Sequence, residues 1–143
     1  MIAVDTNILV YAHREDSHFH KKASAVIAEL AESDRLWAIP WPCIHEFLAI
    51  VTHPRIFSPP TPLEDGLIQL ECWLECPRLQ LIGETVDYWQ NFRKLISTAK
   101  IVGPAVHDAR IASICLANGI ETLWTADRDF GRMSGIEIFN PLV

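Results

Sequence analysis

Met1-Ile2-Ala3-Val4-Asp5-Thr6-Asn7-Ile8-Leu9-Val10 opens the chain. An apolar run delivers one carboxylate, two small polar residues follow, and the apolar pattern resumes. This reads as a short buried strand over Ile2–Val4, an acid at its carboxyl end, and a helix from Thr6 to about His13. In open α/β sheets, ligands bind in the crevice outside the carboxyl ends of the strands. Asp5 is therefore the first candidate site residue. Its plain structural reading is a helix N-cap, a task that Thr6 or Asn7 would serve equally well.

Working outward, strands and helices alternate. A second helix is expected from His18 to about Ser33, with Ala23, Val26, Ile27 and Leu30 at helical spacing. Leu36–Ile39 reads as a strand stopped by Pro40, and Pro42 falls in the first turn of the helix that follows. Residues 53–62 form a loop with four prolines. Further on come a helix over Leu63–Cys76, a strand over Leu79–Ile82 and a helix from Thr85, its expected N-cap, to about Thr98. After a loop at 100–104, Ala105–Ala117 reads as a helix stopped by Asn118-Gly119. Strands over Ile120–Trp124 and Ile136–Phe139 flank a polar turn. Short continuous apolar strands between helices are the pattern of a parallel sheet covered on both faces. The 143 residues suit one domain, 1–143, with a real core.

Half of the residues are hydrophobic, which excludes a disordered chain. Charges or prolines interrupt every apolar run before it reaches membrane-spanning length. No basic segment precedes a long apolar stretch at the N-terminus, so no signal peptide is expected and the location read from the sequence is cytoplasmic. Cys43, Cys72, Cys76 and Cys115 read as buried free thiols; the spacing of Cys72 and Cys76 has no matching second pair to complete a zinc site. The net charge is −6, which argues against a passive nucleic-acid binder but suits an acidic pocket that recruits cations.

Four acids are awkward as surface residues. Glu46 shares a helical stripe with Cys43 and Ile50, beside the core stripe Ile44, Phe47, Leu48 and Val51; an acid among apolar neighbours costs free energy unless paired or bound to metal. Asp108 heads the stripe Ile111, Ala112 and Cys115. Asp127 repeats the logic of Asp5, following a buried strand. Asp129 either joins it or makes an Asx-turn facing water. The plain alternative for Glu46 and Asp108 is a favourable acid near a helix N-terminus. Clustered, such acids need a cation, and all-oxygen ligands suit Mg²⁺ or Mn²⁺. Metal-assisted phosphodiester hydrolysis is the natural chemistry. In it Asp5, Asp108 and Asp127 would hold metal, and Glu46 would complete the cage or orient water.

Val4-Asp5-Thr6-Asn7, Glu46 on a mid-chain helix, His107-Asp108-Ala109-Arg110-Ile111-Ala112 and Thr125-Ala126-Asp127-Arg128-Asp129-Phe130 together resemble the PIN-domain family, and within it the VapC-type toxins of bacterial toxin–antitoxin pairs. The stretch Val51–Phe57 is similar to a subgroup of them. The resemblance spans nearly the whole chain, in the family's order. It implies a three-layer α/β/α sandwich with a mostly parallel sheet and a Mg²⁺-dependent endoribonuclease whose acidic site is Asp5, Glu46, Asp108 and Asp127. Thr6, Asn7 and Thr125 match positions that support such a site by hydrogen bonding. It also implies a homodimer held in check by a cognate antitoxin. No required acid is missing.

Phosphate approaching an acidic pocket needs a basic rim. Arg14, Arg55, Lys100, Arg110, Arg128 and Arg132 are candidates, and Arg55, Lys100 and Arg128 are the expected substrate-binding residues among them. Trp41 and Phe57 are candidates for stacking on RNA bases, against a plainer reading as core or dimer contacts. Trp37, Trp73, Trp89 and Trp124 read as packing residues. The expected substrate is structured RNA, such as tRNA or rRNA loops. Two other readings remain. A haloacid-dehalogenase-like phosphatase also begins with an acid after its first strand, but expects a second Asp where Asn7 stands. A non-catalytic module would use the acids to recruit a basic partner.

Overall fold

The computed structural model describes residues 1–143. The elements run β1 (Ile2–Val4), α1 (Thr6–His13), α2 (His20–Glu32), β2 (Trp37–Pro40), α3 (Trp41–Val51), α4 (Leu63–Leu74), β3 (Leu79–Ile82), α5 (Tyr88–Ala99), α6 (Ala105–Ala117), β4 (Thr122–Trp124), a short 3₁₀ turn (Arg128–Arg132) and β5 (Glu137–Phe139). The strands form one sheet of order β3-β2-β1-β4-β5. Every neighbouring pair is parallel, so the expected mostly parallel sheet is parallel throughout.

That order explains where a site can form. The chain winds outward from β1 through β2 to β3, then returns to the other side of β1 for β4. With right-handed crossovers, the reversal puts α1–α4 on one face and α5–α6 on the other. Loops at the carboxyl ends of β1 and β4 diverge to opposite faces and leave a crevice between them. The register sets Ile2 beside both Trp37 and Thr122. Just past the strand ends, the Asp5 amide donates to the Trp124 carbonyl (3.0 Å) and the Thr125 amide to the Phe139 carbonyl (2.9 Å).

Burial follows strand position. Central β2 is buried along its whole length, whereas edge strand β3 alternates and β5 is mostly exposed. Ala3, Val4, Ile8, Leu9, Trp37, Ile39, Phe47, Ile111, Ile114 and Leu123 lie in one cluster of 31 buried residues. Phe47 meets His13 and Trp73 edge-on at 5.4 and 5.1 Å, tying α3 to α1 and α4. Helix α6 ends as its Asn118-Gly119 signal requires. Gly119 adopts φ +71°, and the amides of Gly119 and Ile120 return to the carbonyls of Leu116 and Cys115, the Schellman pattern.

Several expectations shift. Helix α5 begins at Tyr88, not Thr85; Thr85 instead accepts the Tyr88 amide in a turn (3.1 Å). The stripe that holds α5 to the core, Tyr88, Phe92, Leu95 and Ile96, starts only there, and packing of an apolar face is what sustains a short helix. Helix α2 starts at His20 because Ser17 makes a turn with the Phe19 amide and Phe19 packs on Tyr11. Helix α4 ends at Leu74. Trp89 is exposed rather than packed, while Trp37 and Trp73 are buried and Trp124 is half-buried. All four cysteines are free, but only Cys43 and Cys115 are buried. No helix is long and apolar enough to cross a membrane.

Phe47→Ala should cost about 3–5 kcal/mol, the usual loss for emptying a fully buried aromatic site. Equilibrium denaturation in urea would register it as a lower midpoint at unchanged slope.

Candidate active site

The carboxyl end of β1 delivers Asp5 into the crevice, and its side chain is 4 % exposed. Four donors hold it there, three N–H or O–H groups and one thiol. The Thr6 amide donates to Oδ1 (2.8 Å), the Thr125 hydroxyl donates to Oδ2 (2.7 Å) and the Asn7 amide nitrogen donates to Oδ2 (3.3 Å). The Cys43 thiol lies 3.7 Å from Oδ1. Asp5 is thus both the N-cap of α1 and the deepest acid of the crevice.

Thr125 links the two central strands. Its hydroxyl has one proton, which goes to Asp5, and two acceptor positions, which take the Asn7 amide nitrogen (3.1 Å) and the Asp127 amide (3.0 Å). Asn7 completes the loop by accepting the Ala126 amide at Oδ1 (3.2 Å). On the other side of Asp5, the Thr6 hydroxyl donates to Glu46 Oε2 (2.7 Å). Thr6, Asn7 and Thr125 therefore connect β1, β4 and α3.

Asp108, in the first turn of α6, projects toward the same crevice from the opposite layer. Its carboxylate lies with those of Asp127 and Asp129, one oxygen from each being within 4.8 Å of the others. The Asx-turn falls on the other acid than expected: Asp127 Oδ1 accepts the Asp129 amide (2.9 Å). That bond caps the 3₁₀ turn and leaves the Asp129 carboxylate beside Asp108. Asp5 and Glu46 stand at the same end of the sheet and feel these charges, but only Asp108, Asp127 and Asp129 bring oxygens to within 4.8 Å of one another.

The charges feel one another. Burial is the main cause that pushes Asp5 up to about 6; Thr125 and Thr6 pull it back, and the charges of Glu46 and Asp108 push it further. Asp108 is also raised to about 6, by burial first and then by Asp127, Glu46 and Asp129. Only His107, beside Asp108, offsets this in part; none of the three ion pairs, Met1 with Glu121, Arg14 with Asp16 and Arg110 with Glu84, involves these acids. Burial raises Cys43 well above the ordinary thiol range, with the Asp5 charge adding to it. Cys43 therefore stays a neutral thiol facing Asp5. The sequence showed Cys43 on the Glu46 stripe but gave no reason to link it to Asp5; that contact exists only because α3 lies across the end of β1.

The basic candidates are dispersed. Arg128 adjoins Asp127 in the chain and is exposed, as are Arg55 in the Pro-rich loop and Lys100 at the end of α5. None of the three forms an ion pair, and nothing brings Arg55 or Lys100 to the acids. Arg14 is committed to Asp16 and Thr61 and lies over the Phe57 ring at 4.2 Å. Arg132 donates to the Ala99 carbonyl. Phe57 is thereby occupied, whereas Trp41 is 42 % exposed.

The PIN domain family model matches residues 2–136. Ribonuclease VapC48 of Mycobacterium tuberculosis is 31 % identical over 137 residues, covering 96 % of this chain and 94 % of its own. Ribonuclease VapC43 of the same organism is 32 % identical over 142 residues, covering 99 % and 96 %. The fold is similar to that of VapBC2 from Rickettsia felis bound to a promoter DNA fragment, with TM-score 0.72, 24 % identity and 98 % of each chain covered. The chain belongs to the PIN-domain family, among its VapC ribonucleases. It is a ribonuclease. Nucleases of this family are metal dependent, and the chain carries an acidic cluster of the required kind. Family membership sets aside the phosphatase and the non-catalytic module.

Two measurements probe this geometry. Thr125→Val removes the donor to Asp5 and strands the Asn7 and Asp127 donors, which should cost about 1–3 kcal/mol in denaturant titrations; Thr125→Ser should recover most of it. Asp108 holds its proton more tightly folded than unfolded, so protonation stabilises the fold. That stabilisation is complete below about pH 4 and lost as pH rises through about 6. In metal-free buffer Asp108→Asn should therefore melt above the parent at pH 7, by on the order of 1 kcal/mol after solvent screening. The two should converge toward pH 4.

Proposed function

We propose that the acidic crevice is the catalytic centre of the ribonuclease. Asp5, Asp108 and Asp127 hold Mg²⁺ there, Asp129 stands beside them, and Mn²⁺ is an acceptable substitute. The approach of the Asp108, Asp127 and Asp129 carboxylates to within 4.8 Å of one another carries this reading. The donor set fits the ion: it is all oxygen, as hard divalent cations require, and no ion pair of the chain involves it. When bound, the cation would supply Lewis-acid stabilisation of charge on the phosphate and make water a better nucleophile.

The chain's own residues set the geometry for hydrolysis. Glu46 Oε2 is held by the Thr6 hydroxyl, which leaves Oε1 to orient the attacking water and accept its proton. The Thr125 hydroxyl and the Thr6 amide fix the Asp5 carboxylate in one orientation. Arg128, exposed beside Asp127, is placed to meet a neighbouring phosphate.

The biological role is that of a toxin restrained by a cognate antitoxin, a reading supported by the likeness to VapBC2 and to VapBC-1 from Haemophilus influenzae. A basic antitoxin side chain entering the carboxylates would form the charge-assisted bonds that the free crevice lacks. We assign unpaired loops of tRNA or rRNA as substrate. The similar VapC20 of Mycobacterium tuberculosis is a toxin that cleaves the sarcin–ricin loop. The working unit is a homodimer of this single-domain chain.

Purified protein incubated with total cellular RNA should cut it with Mg²⁺ or Mn²⁺ and not after chelation. Asp108→Asn should lose more than the about 10–100-fold typical of a supporting residue. Calorimetric titration of Mg²⁺ should show binding to the parent and not to the variant. Undiminished cleavage by Asp108→Asn would place the chemistry elsewhere.

A further inference from the structure

Charge is unevenly distributed along the chain. Residues 1–87 hold 6 Lys or Arg against 13 Asp or Glu, whereas residues 88–143 hold 6 against 5, with Asp108, Asp127 and Asp129 among the latter. The contrast is sharpest on two helices. The exposed side of α4 carries Glu64, Asp65 and Glu71 and no cation. The stretch Tyr88–His107, which contains α5, has Arg93, Lys94 and Lys100 and no Asp or Glu. Tyr88, Phe92, Leu95 and Ile96 pack on the core, so the outer side of α5 presents Arg93, Lys94, Trp89 and uncharged polar residues.

Arg93 and Lys94 have no anionic partner within the chain. On a helix, acids three or four residues from a cation supply stabilising pairs; around Arg93 and Lys94 those positions hold none. Neither residue forms an ion pair elsewhere. Lys94 instead borders a groove of about 360 Å³, with Asn91 and Thr98 on its own helix and Ser134 and Gly135 from the segment before β5. Asn, Ser and Thr side chains beside Arg and Lys are the donors that phosphate oxygens accept from in nucleic-acid interfaces.

We propose that the outer side of α5, centred on Arg93, Lys94 and the groove beside Lys94, is an anchoring surface for the phosphate backbone of the RNA substrate. This rests on the chain being a ribonuclease and not on which acids cut. A chain of net charge −6 repels RNA at long range, so a local cationic face is needed to hold it. One short turn links this face to the acids. The 3₁₀ turn Arg128–Arg132 is capped at its start by Asp127, and Arg132 at its end donates to the carbonyl of Ala99, the last residue of α5. At about 2 Å per residue the turn spans about 10 Å. One segment of a strand can therefore be held on α5 while a neighbouring segment lies at the acids.

The test reads binding in EDTA, which removes the divalent metal, with a fluorescein-labelled single-stranded 20-nucleotide RNA. Anisotropy titrations between 0.1 and 1 M salt compare the parent, Arg93→Gln/Lys94→Gln and Lys21→Gln/Lys22→Gln. Lys21 and Lys22 are exposed on α2, across the sheet from α5, and their loss changes net charge equally. Losing two phosphate contacts should lower the slope of log K against log salt by about 1.4, so the α5 pair should bind about 25-fold more weakly at 0.1 M and converge with the parent near 1 M. The α2 pair should bind as the parent does. An α5 pair that binds like the parent would overturn the proposal, as would a parent that binds no RNA at 0.1 M salt. An equal loss in the α2 pair would mean that net charge alone counts, and a loss with unchanged slope would mean that no phosphate contact was removed; either overturns it. Sedimentation mass is measured alongside, and a changed oligomeric state in the α5 pair would assign this face to an interface between copies and overturn it too. Failure of the acidic crevice as the catalytic centre would leave this result untouched, because binding is read without metal and without cleavage.

Discussion

A carboxylate held out of water at the end of the central strand constrains everything around it. Asp5 is almost fully buried, and burying a charge is costly unless hydrogen bonds or a cation compensate. Besides the Cys43 thiol, the protein supplies three donors from three residues, Thr6, Asn7 and Thr125. Each of these three is drawn into further bonds, to Glu46, to Ala126 and to Asp127. The ends of β1, β4 and α3 are locked to one another through that one side chain. What remains uncompensated is charge, and the proposed divalent ion would answer that repulsion.

The same constraint changes how a substitution at Asp5 should be understood. By sequence alone, Asn is the neutral isostere. In the structure each Asp5 oxygen accepts a bond, Oδ1 from the Thr6 amide and Oδ2 from the Thr125 hydroxyl. A carboxamide has one oxygen and one nitrogen, so it can satisfy only one of those donors. An exchange there perturbs hydrogen bonding as well as charge. Asp108, which no protein donor contacts, is the cleaner place to change charge alone.

Sheet topology is what turns scattered acids into a cluster. Asp5 and Asp127 arrive on adjacent strand ends, Glu46 on a helix from one layer and Asp108 on a helix from the other. Their meeting depends on the reversal of winding beside β1. The stretches Met1–Val10 and Ala105–Gly119 were legible because periodicity, capping chemistry and the glycine stop all agree locally. The start of α5 was not, because Thr85 is a good cap by type while the apolar stripe that holds the helix down begins three residues later. Trp89 misled for a similar reason: its position inside a helix says nothing about which side of that helix meets the core. The Asx-turn of Asp127 was assigned to its neighbour because both acids have the same local chemistry, and only the path of the chain after β4 distinguishes them.

The sequence by itself determined the alternation of strands and helices, the parallel sheet and the unusual placement of Asp5, Glu46, Asp108 and Asp127 on apolar stripes or strand ends. Those are properties of nearest neighbours along the chain, encoded in periods of two and 3.6 residues. Tertiary structure alone decided that Cys43 faces Asp5, that the Thr125 hydroxyl is shared by Asp5, Asn7 and Asp127, that Asp129 stands beside Asp108, and that Arg14 and Phe57 are spent on each other while Trp41 is left open. Each of these contacts joins residues far apart in the chain. Which distant side chains meet follows from the order of strands and the crossing of helices, and that order is set by packing the whole core at once.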